Sequence, residues 1–285
     1  MANVIKIKKG LDINLKGKAS DVLLNGGKSD SYAIVPDYYN GIVPKVVAKV
    51  GEKVKAGSVL MIDKNRPEIK FVSPVSGEVT AVNRGEKRKV LSVVVKPEAQ
   101  IEYEDFGKKN VASLKREEVK EAILHAGMWP FIKQRPYDIV ASPADEPRDI
   151  FVSAFYSAPL APNFDFVVKG QEVDFQTGLD ALAKLTDGKV YVGIRKGSSV
   201  SVKGVETVEV EGPHPAANVG VQINHIKPIN KGEVVWTVNP ADVIVIGRLF
   251  NKGIADFSRL VVITGSETTE RGYVKAIAGC TIASL

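Results

Sequence analysis

Two hydrophobic periods alternate along this chain. Between residues 33 and 97 apolar positions recur every second residue, in two copies of one pattern. The first copy reads VPKVVAKVGEKVKAGSVLMI and the second VSGEVTAVNRGEKRKVLSVVV. Val46 and Ala48 align with Val79 and Ala81, and Gly51-Glu52-Lys53 aligns with Gly85-Glu86-Lys87 after a one-residue insertion. Each copy predicts a strand, a glycine turn and a second short strand. One copy alone cannot bury its apolar face; two related by a pseudo-twofold can.

Ahead of this repeat, residues 4–31 are rich in Gly and Lys. Leu11, Ile13 and Leu15 alternate with polar residues and predict a brief extended segment, and Asn25-Gly26-Gly27 predicts a turn. After it, residues 98–112 read as a linker. From Ser113 the period changes to that of a helix. SLKREEVKEAILHAG puts Leu114, Val119, Ile123 and Leu124 near one face, with Ser113 as N-cap and Gly127 as stop. Strands and helices then alternate. Strands are expected at Asp149–Phe155, Lys189–Ile194, Val205–Val210 and Val234–Val238, and helices at Phe175–Leu185 and from Pro240 to about Phe250. Such alternation implies a largely parallel sheet covered on both faces. From Arg259 the pattern turns to strand again, RLVVITG and then GYVKAIAGCTIASL, a terminal pair without a visible partner that reads as a truncated unit.

The doubled strand pattern at 33–97 is that of biotinyl and lipoyl carrier domains, with a generic β-barrel as the alternative. Composition narrows the classes around it. With 285 residues, 44% hydrophobic and 25% charged, the chain has material for two domains and part of a third. The formal net charge is +6. The densest basic runs, Lys6-Lys8-Lys9 and Arg84-Lys87-Arg88-Lys89, lack interleaved aromatics that would stack bases. They read as solvated surface or as a protein or membrane contact, not a nucleic-acid site. A single cysteine, Cys280, excludes internal disulfides and thiolate-rich metal clusters, and it is expected between Ile277 and Ile282 as a small buried apolar residue. No apolar run approaches the roughly 20 residues a membrane helix needs.

Chemistry has few places to sit. Asp63-Lys64 resembles the modified lysine of a lipoyl hairpin, but Asn65-Arg66-Pro67-Glu68 lengthens the turn, which favours a plain surface lysine. Gly127 to Pro136 holds one glycine, one tryptophan and two prolines, so it cannot converge backbone N–H groups on a phosphate; Trp129 and Phe131 read as packing or partner residues. Gly212-Pro213-His214-Pro215 follows a strand, at the carboxyl edge where open α/β sheets bind ligands. Two readings fit it. His214 titrates or donates at a ligand or partner loop, or Pro-His-Pro only stiffens the strand exit while His214 caps a neighbouring backbone group. His125 and His225 lie too far off for metal-ligand spacing. Ser198, Ser199 and Ser266 belong to ordinary turns, without the elbow of a serine nucleophile.

Taken in order, several strings resemble one family. Gly10-Leu11-Asp12-Ile13 with Gly17-Lys18, Lys70 to Val79, Asn83 to Arg88, Thr186 to Val192, Gly212 to Ala216, Asp242-Val243-Ile244 and Gly247 to Phe250 resemble the A-subunits of the Na+-translocating NADH:quinone oxidoreductases, over nearly the whole chain. The resemblance implies a multi-domain β plus α/β fold. A barrel-sandwich hybrid, biotinyl/lipoyl-like, would occupy residues 1–100 with the N-terminal segment. A Rossmann-like α/β domain would follow at 101–256, and the beginning of a soluble-ligand-binding β-grasp domain at 257–285. It implies a peripheral protein on the cytoplasmic face of the bacterial inner membrane, beside membrane subunits that hold flavins and other redox centres. The whole complex would use NADH, flavins and ubiquinone to drive sodium export, with this chain serving as scaffold and in quinone interaction. No catalytic, cofactor-binding or metal residue is carried over, and no cofactor is expected on this chain. More distantly the chain is similar to the flavin- and NADH-binding subunit of respiratory complex I, whose Gly-rich flavin loop corresponds to Gly127–Pro136, where the glycines are missing. The competing reading is a free-standing lipoyl-like carrier or nucleotide-binding enzyme.

Overall fold

The computed structural model describes residues 3–285. Along the chain run β1 (Asn3–Lys6), β2 (Leu23–Leu24), β3 (Tyr32–Ile34), β4 (Pro44–Val46), β5 (Lys53–Val54), β6 (Val59–Asp63), β7 (Lys70–Val72), β8 (Gly77–Arg84) and β9 (Val90–Pro97). Then come α1 (Arg116–His125), β10 (Lys133–Arg135), β11 (Ile139–Val140), β12 (Ile150–Ser153), α2 (Phe164–Val167), α3 (Glu172–Lys184), β13 (Val190–Arg195) and β14 (Glu206–Glu211). The last are α4 (Val219–Ile226), β15 (Val235–Thr237), α5 (Pro240–Lys252), β16 (Ser258–Ile263) and β17 (Gly272–Ile277). These elements form two compact units. One gathers the stretch up to Asn25 with Glu146–Gly247 and Leu260–Lys275; the other gathers Gly26–Asp145, Arg248–Arg259 and Ala276–Leu285.

The first unit is built on parallel strands in the order β1-β14-β13-β12-β15. All four residues of β12, Ile150 to Ser153, are buried, as expected of a strand covered on both faces. Helices α3 and α5 cross at two glycines. A Cβ on Gly178 would stand 2.1 Å from the Val243 carbonyl oxygen, and one on Gly247 would stand 1.7 Å from that of Asp174. The period-3.6 and period-2 expectations for Phe175–Leu185, Lys189–Ile194, Val205–Val210 and the Pro240 helix agree with α3, β13, β14 and α5.

Two expectations for this unit fail. Leu11, Ile13 and Leu15 form no strand; all three stay exposed in an irregular segment. The strand lies earlier, at β1, which pairs in parallel with β14 from Asn3↔Val208 to Lys6↔Glu211. The alternation is real but local, with no neighbouring strand edge to complete a ladder. The terminal strands are not partnerless either: β17 pairs in parallel with β2, Tyr273 opposite Leu23 and Val274 opposite Leu24.

The second unit holds the doubled pattern. Strands β3-β9-β8-β5 form one antiparallel sheet and β4-β6-β7 another. Ala48, Val54, Leu60, Val75, Val79, Val90, Val93 and Val95 form the core, so residues from both copies of the repeat share it. This is the barrel-sandwich architecture that the repeat predicts. Asp63 organises the hairpin after β6. Its carboxylate is fully buried and accepts from the Val43 N–H at 3.0 Å, the Asn65 N–H at 3.1 Å and Arg66 Nε at 2.8 Å. Arg66 also donates to the carbonyls of Gly41 and Val140. The turn is therefore braced from inside, while Lys64 lies exposed.

Residues 98–112 are not a free linker. Ala56 N–H donates to the Glu102 carbonyl and Glu104 N–H to that of Ala56, both in strand-like fashion, and Ser58 Oγ donates to the Glu104 carboxylate at 2.7 Å. The helix cap also moves. Ser113 sits in a single turn of 3-10 helix, and α1 is capped at Lys115, whose N–H donates to Glu118 Oε2 at 2.7 Å. Gly127 stops the helix at φ +68°, against the Val72 side chain. Trp129 and Pro130 are buried, and Trp129 Nε1 donates to the Ala141 carbonyl at 2.8 Å. Cys280 is half-buried, not buried as expected, and its backbone bridges to Tyr32.

Candidate functional site in the parallel-sheet unit

Carboxyl ends of parallel strands collect loops, and three of them meet here. Ser153 ends β12 and opens the loop Phe155–Asn163; Arg195 ends β13; Glu211 ends β14 and leads into Gly212-Pro213-His214-Pro215. Gly212 (φ +138°) passes so close to Ile7 that a Cβ would stand 2.2 Å from its carbonyl oxygen. Gly10 likewise admits no side chain, with the His214 carbonyl oxygen 2.1 Å from the Cβ position. These glycines let the N-terminal segment cross the His214 loop at backbone distance. Leu11 N–H donates to the His214 carbonyl at 2.9 Å, and His214 N–H donates to Asp12 Oδ1 at 2.9 Å.

The imidazole of His214 faces the β12 loop, with Nδ1 3.1 Å from Ser157 Oγ. Ser157 Oγ also accepts from the Ala217 N–H at 3.0 Å. Beneath them, Gln222 Nε2 is buried and donates to Ser153 Oγ at 2.9 Å and to the Ala216 carbonyl. Gly193 leaves room for that carboxamide; a Cβ there would stand 2.1 Å from Gln222 Oε1.

In front of this knot lies an open cavity of about 550 Å³, a volume typical of small-molecule sites. Its polar wall includes Asp12, Lys18, Asp21, Ser157, Asp165 and Arg195. Asn163 caps the single turn α2 through its side chain, donates Nδ2 to Asp21 Oδ2 at 2.7 Å, and gives its N–H to the Tyr273 hydroxyl at 2.6 Å. Burial raises the Tyr273 hydroxyl above the usual phenol range, and the neighbouring Asp21 charge adds to this against the Asn163 N–H. Burial works against ionisation of Asp165 too. There, donors from Ser198 and Ser199 outweigh it and hold the carboxyl below the usual carboxylate range.

The predicted residues Gly212, Pro213, His214 and Pro215 do not themselves line the cavity; His214 alone reaches two residues that do, Ser157 and Asp12. The structure does not bring the three histidines together. His125 packs edge-on against Phe106 in the other unit, and His225 Nδ1 meets the Val221 carbonyl within α4. Among the described residues, no group of three or more His, Cys, Asp or Glu side chains could hold a metal. Ser198 and Ser199 serve Asp165, and the Ser266 carbonyl accepts from Arg271. Lys18, Asp21, Asn163, Asp165 and Arg195 are not anticipated from the sequence. The usable signal is positional: Arg195 directly follows the expected strand Lys189–Ile194, and Asn163 and Asp165 lie after the expected strand Asp149–Phe155.

Comparison with known proteins agrees with this architecture. Residues 5–98 match the family model of the NqrA N-terminal barrel-sandwich hybrid domain, and residues 114–255 match that of the NqrA second alpha/beta domain. The A-subunit of the Na(+)-translocating NADH-quinone reductase of Neisseria meningitidis serogroup A / serotype 4A is 36% identical over 287 residues, as is that of Hahella chejuensis. The protein of the same name from Photorhabdus laumondii subsp. laumondii is 33% identical. Each alignment covers 99% of this chain and 64% of the relative, so the chain spans somewhat less than two thirds of the length of these relatives. With both domain models matched in order and the folds of both present, the chain belongs to the NqrA family.

Proposed function

We propose that this chain acts as the NqrA component of a Na+-translocating NADH:quinone oxidoreductase, a complex that couples NADH oxidation and ubiquinone reduction to sodium export. In this reading it is a peripheral scaffold on the cytoplasmic face of the bacterial inner membrane. It docks on the membrane-bound redox subunits and contacts quinone. The observation that carries the reading is the in-order match of both NqrA domains with relatives aligned over 99% of the chain. Among the described residues no helix is long and apolar enough to cross a membrane, which fits attachment through partner subunits. Strands β16 and β17, in the region 257–285, would open the β-grasp domain.

The chain's own residues do not fit a flavin in the Gly127–Pro136 segment. Gly127 is packed against Val72, Trp129 and Pro130 are buried, and the indole N–H is taken by Ala141. The proposal therefore gives flavins and NADH to the partner subunits. Carrier function has equally little support, because the hairpin that would present Lys64 is elongated and braced by the buried Asp63–Arg66 pair.

The test is assembly. An affinity-tagged chain, co-expressed with the membrane subunits of such a complex, should co-purify with them and with Na+-dependent NADH:quinone activity. Failure to co-purify, with unchanged Na+-dependent activity in membranes lacking the chain, would refute the reading. A photoreactive quinone analogue applied to the complex then tests quinone contact by labelling of this chain.

A further inference from the structure

We propose that the cavity at the carboxyl edge of the parallel sheet binds a small amphipathic organic anion. Lys18 and Arg195 would hold its anionic head, and Ile13, Leu15 and Leu160 would receive its apolar body. All five residues line the same cavity of about 550 Å³.

The charges in the wall are not equivalent. Its three carboxylates are already engaged within the protein. Asp12 accepts from the His214 N–H, Asp21 from Asn163 Nδ2, and Asp165 from two serine hydroxyls and a backbone N–H. The two cations are not: among the described residues, neither the Lys18 ammonium nor the Arg195 guanidinium has a carboxylate or carbonyl partner. The two lysines that flank β13, by contrast, are paired. Lys196 meets Glu211 at 3.1 Å and Lys189 meets Glu206 at 2.7 Å. The acceptor missing for Lys18 and Arg195 is one that a ligand can bring. A planar guanidinium and an ammonium together suit a carboxylate, phosphate or sulfonate head.

The apolar part of the wall explains why a bare inorganic ion is not enough. Ile13 and Leu15 are each 55% exposed although their segment is tied down at Leu11. Their alternation, which makes no strand, places them at the cavity beside the free cations. Exposed apolar side chains next to unpaired positive charge match a ligand with a hydrophobic body and one charged end. The site depends on the α/β unit alone, so it stands or falls independently of assembly into a pump.

The test uses the whole chain and two fluorescent probes with one aromatic body, the anion 1-anilinonaphthalene-8-sulfonate and its neutral analogue N-phenyl-1-naphthylamine. The anion should bind saturably at one site per chain. Its affinity should fall about tenfold or more in the K18Q/R195Q variant, since each lost charge-assisted bond is worth more than the tenfold unit of affinity. Raising salt from about 0.05 to 0.5 M should weaken it in the wild type and barely in the variant. Binding of the neutral probe should change less than about twofold in that variant, while Ile13→Ser should weaken both probes. All three side chains are exposed, so the variants should fold, as far-UV circular dichroism will show. Equal affinity of the anion for wild type and K18Q/R195Q would overturn the proposal. So would neutral-probe binding as tight as that of the anion.

Discussion

Asp149 offers a sharp test of how the parallel-sheet unit is held together. Its side chain is 1% exposed, just before β12, and accepts from Arg148 Nε at 2.7 Å, Lys227 Nζ at 2.8 Å and the Lys189 N–H at 3.1 Å. Arg148 extends the network to Glu233 and to the carbonyls of Lys227 and Pro228. The carboxylate thus ties the start of β12 to the start of β13 and to the segment after α4. Removing one member of a buried ion pair costs about 3–5 kcal/mol. Asp149→Asn keeps the volume and an acceptor for the Lys189 N–H, and Lys227, 46% exposed, can return to water. We therefore expect a loss of about 2–4 kcal/mol. Hydrogen exchange read by mass spectrometry on a peptide covering β12 should then run roughly thirty- to several-hundred-fold faster, since 1.4 kcal/mol is a factor of ten. The effect should depend on pH in one direction. Burial opposes ionisation of Asp149, but donors from Lys227, Lys189 and Arg148 outweigh it and hold the carboxyl below the usual range. A carboxyl depressed in the folded state contributes stability above its unfolded value, about 3.9, and loses it as pH falls through the lower folded value. The difference between wild type and variant should be full near neutrality and should close below about pH 4. Acceleration of less than about threefold near neutrality, or a difference that widens in acid, would refute this account of Asp149.

The remaining predictions concern other joints. Asp63→Ala should destabilise the barrel-sandwich unit by about 3 kcal/mol, because two backbone N–H groups and Arg66 lose their buried acceptor, whereas Lys64→Ala should stay within about 0.5 kcal/mol; chemical denaturation followed by Trp129 fluorescence separates them. Intact-mass measurement of the chain purified from its host should show no adduct on Lys64; a lipoyl or biotinyl mass increase would overturn our reading of the hairpin. Gly188→Ala should cost about 2 kcal/mol or more, since its Cβ would stand 1.8 Å from the Arg148 carbonyl oxygen, and exchange should accelerate in β13. Ser157→Ala removes the acceptor of the Ala217 N–H and the neighbour of His214 Nδ1, so we expect a loss of about 1–2 kcal/mol and a shift of the His214 ring resonances in NMR spectra. An unmoved His214 resonance would contradict the contact.

Much of the architecture could be read from the sequence because it is written locally. The doubled strand–turn–strand pattern at 33–97 needs two similar halves to close one core, and Ala48 and Val54 of the first half share that core with Val79 and Val90 of the second. The spacing of apolar residues in α3 and α5 and the runs in β13 and β14 likewise match their elements, since period and burial are properties of short windows. Ordered strings pointed to the family for the same reason. What escaped was pairing at long range. Val4 and Ile5 join β14 through partners about two hundred residues away, so nothing near them marks a strand, while Leu11–Leu15 alternate and form none. The cavity is a meeting of several stretches, and its members are individually ordinary: Lys18 and Arg195 look like any surface cation until the fold shows that neighbouring carboxylates are taken. Local periodicity determines which residues can form an element. Only the tertiary structure decides which edges meet and which charges are left without a partner, because those depend on distances in space between residues remote in sequence.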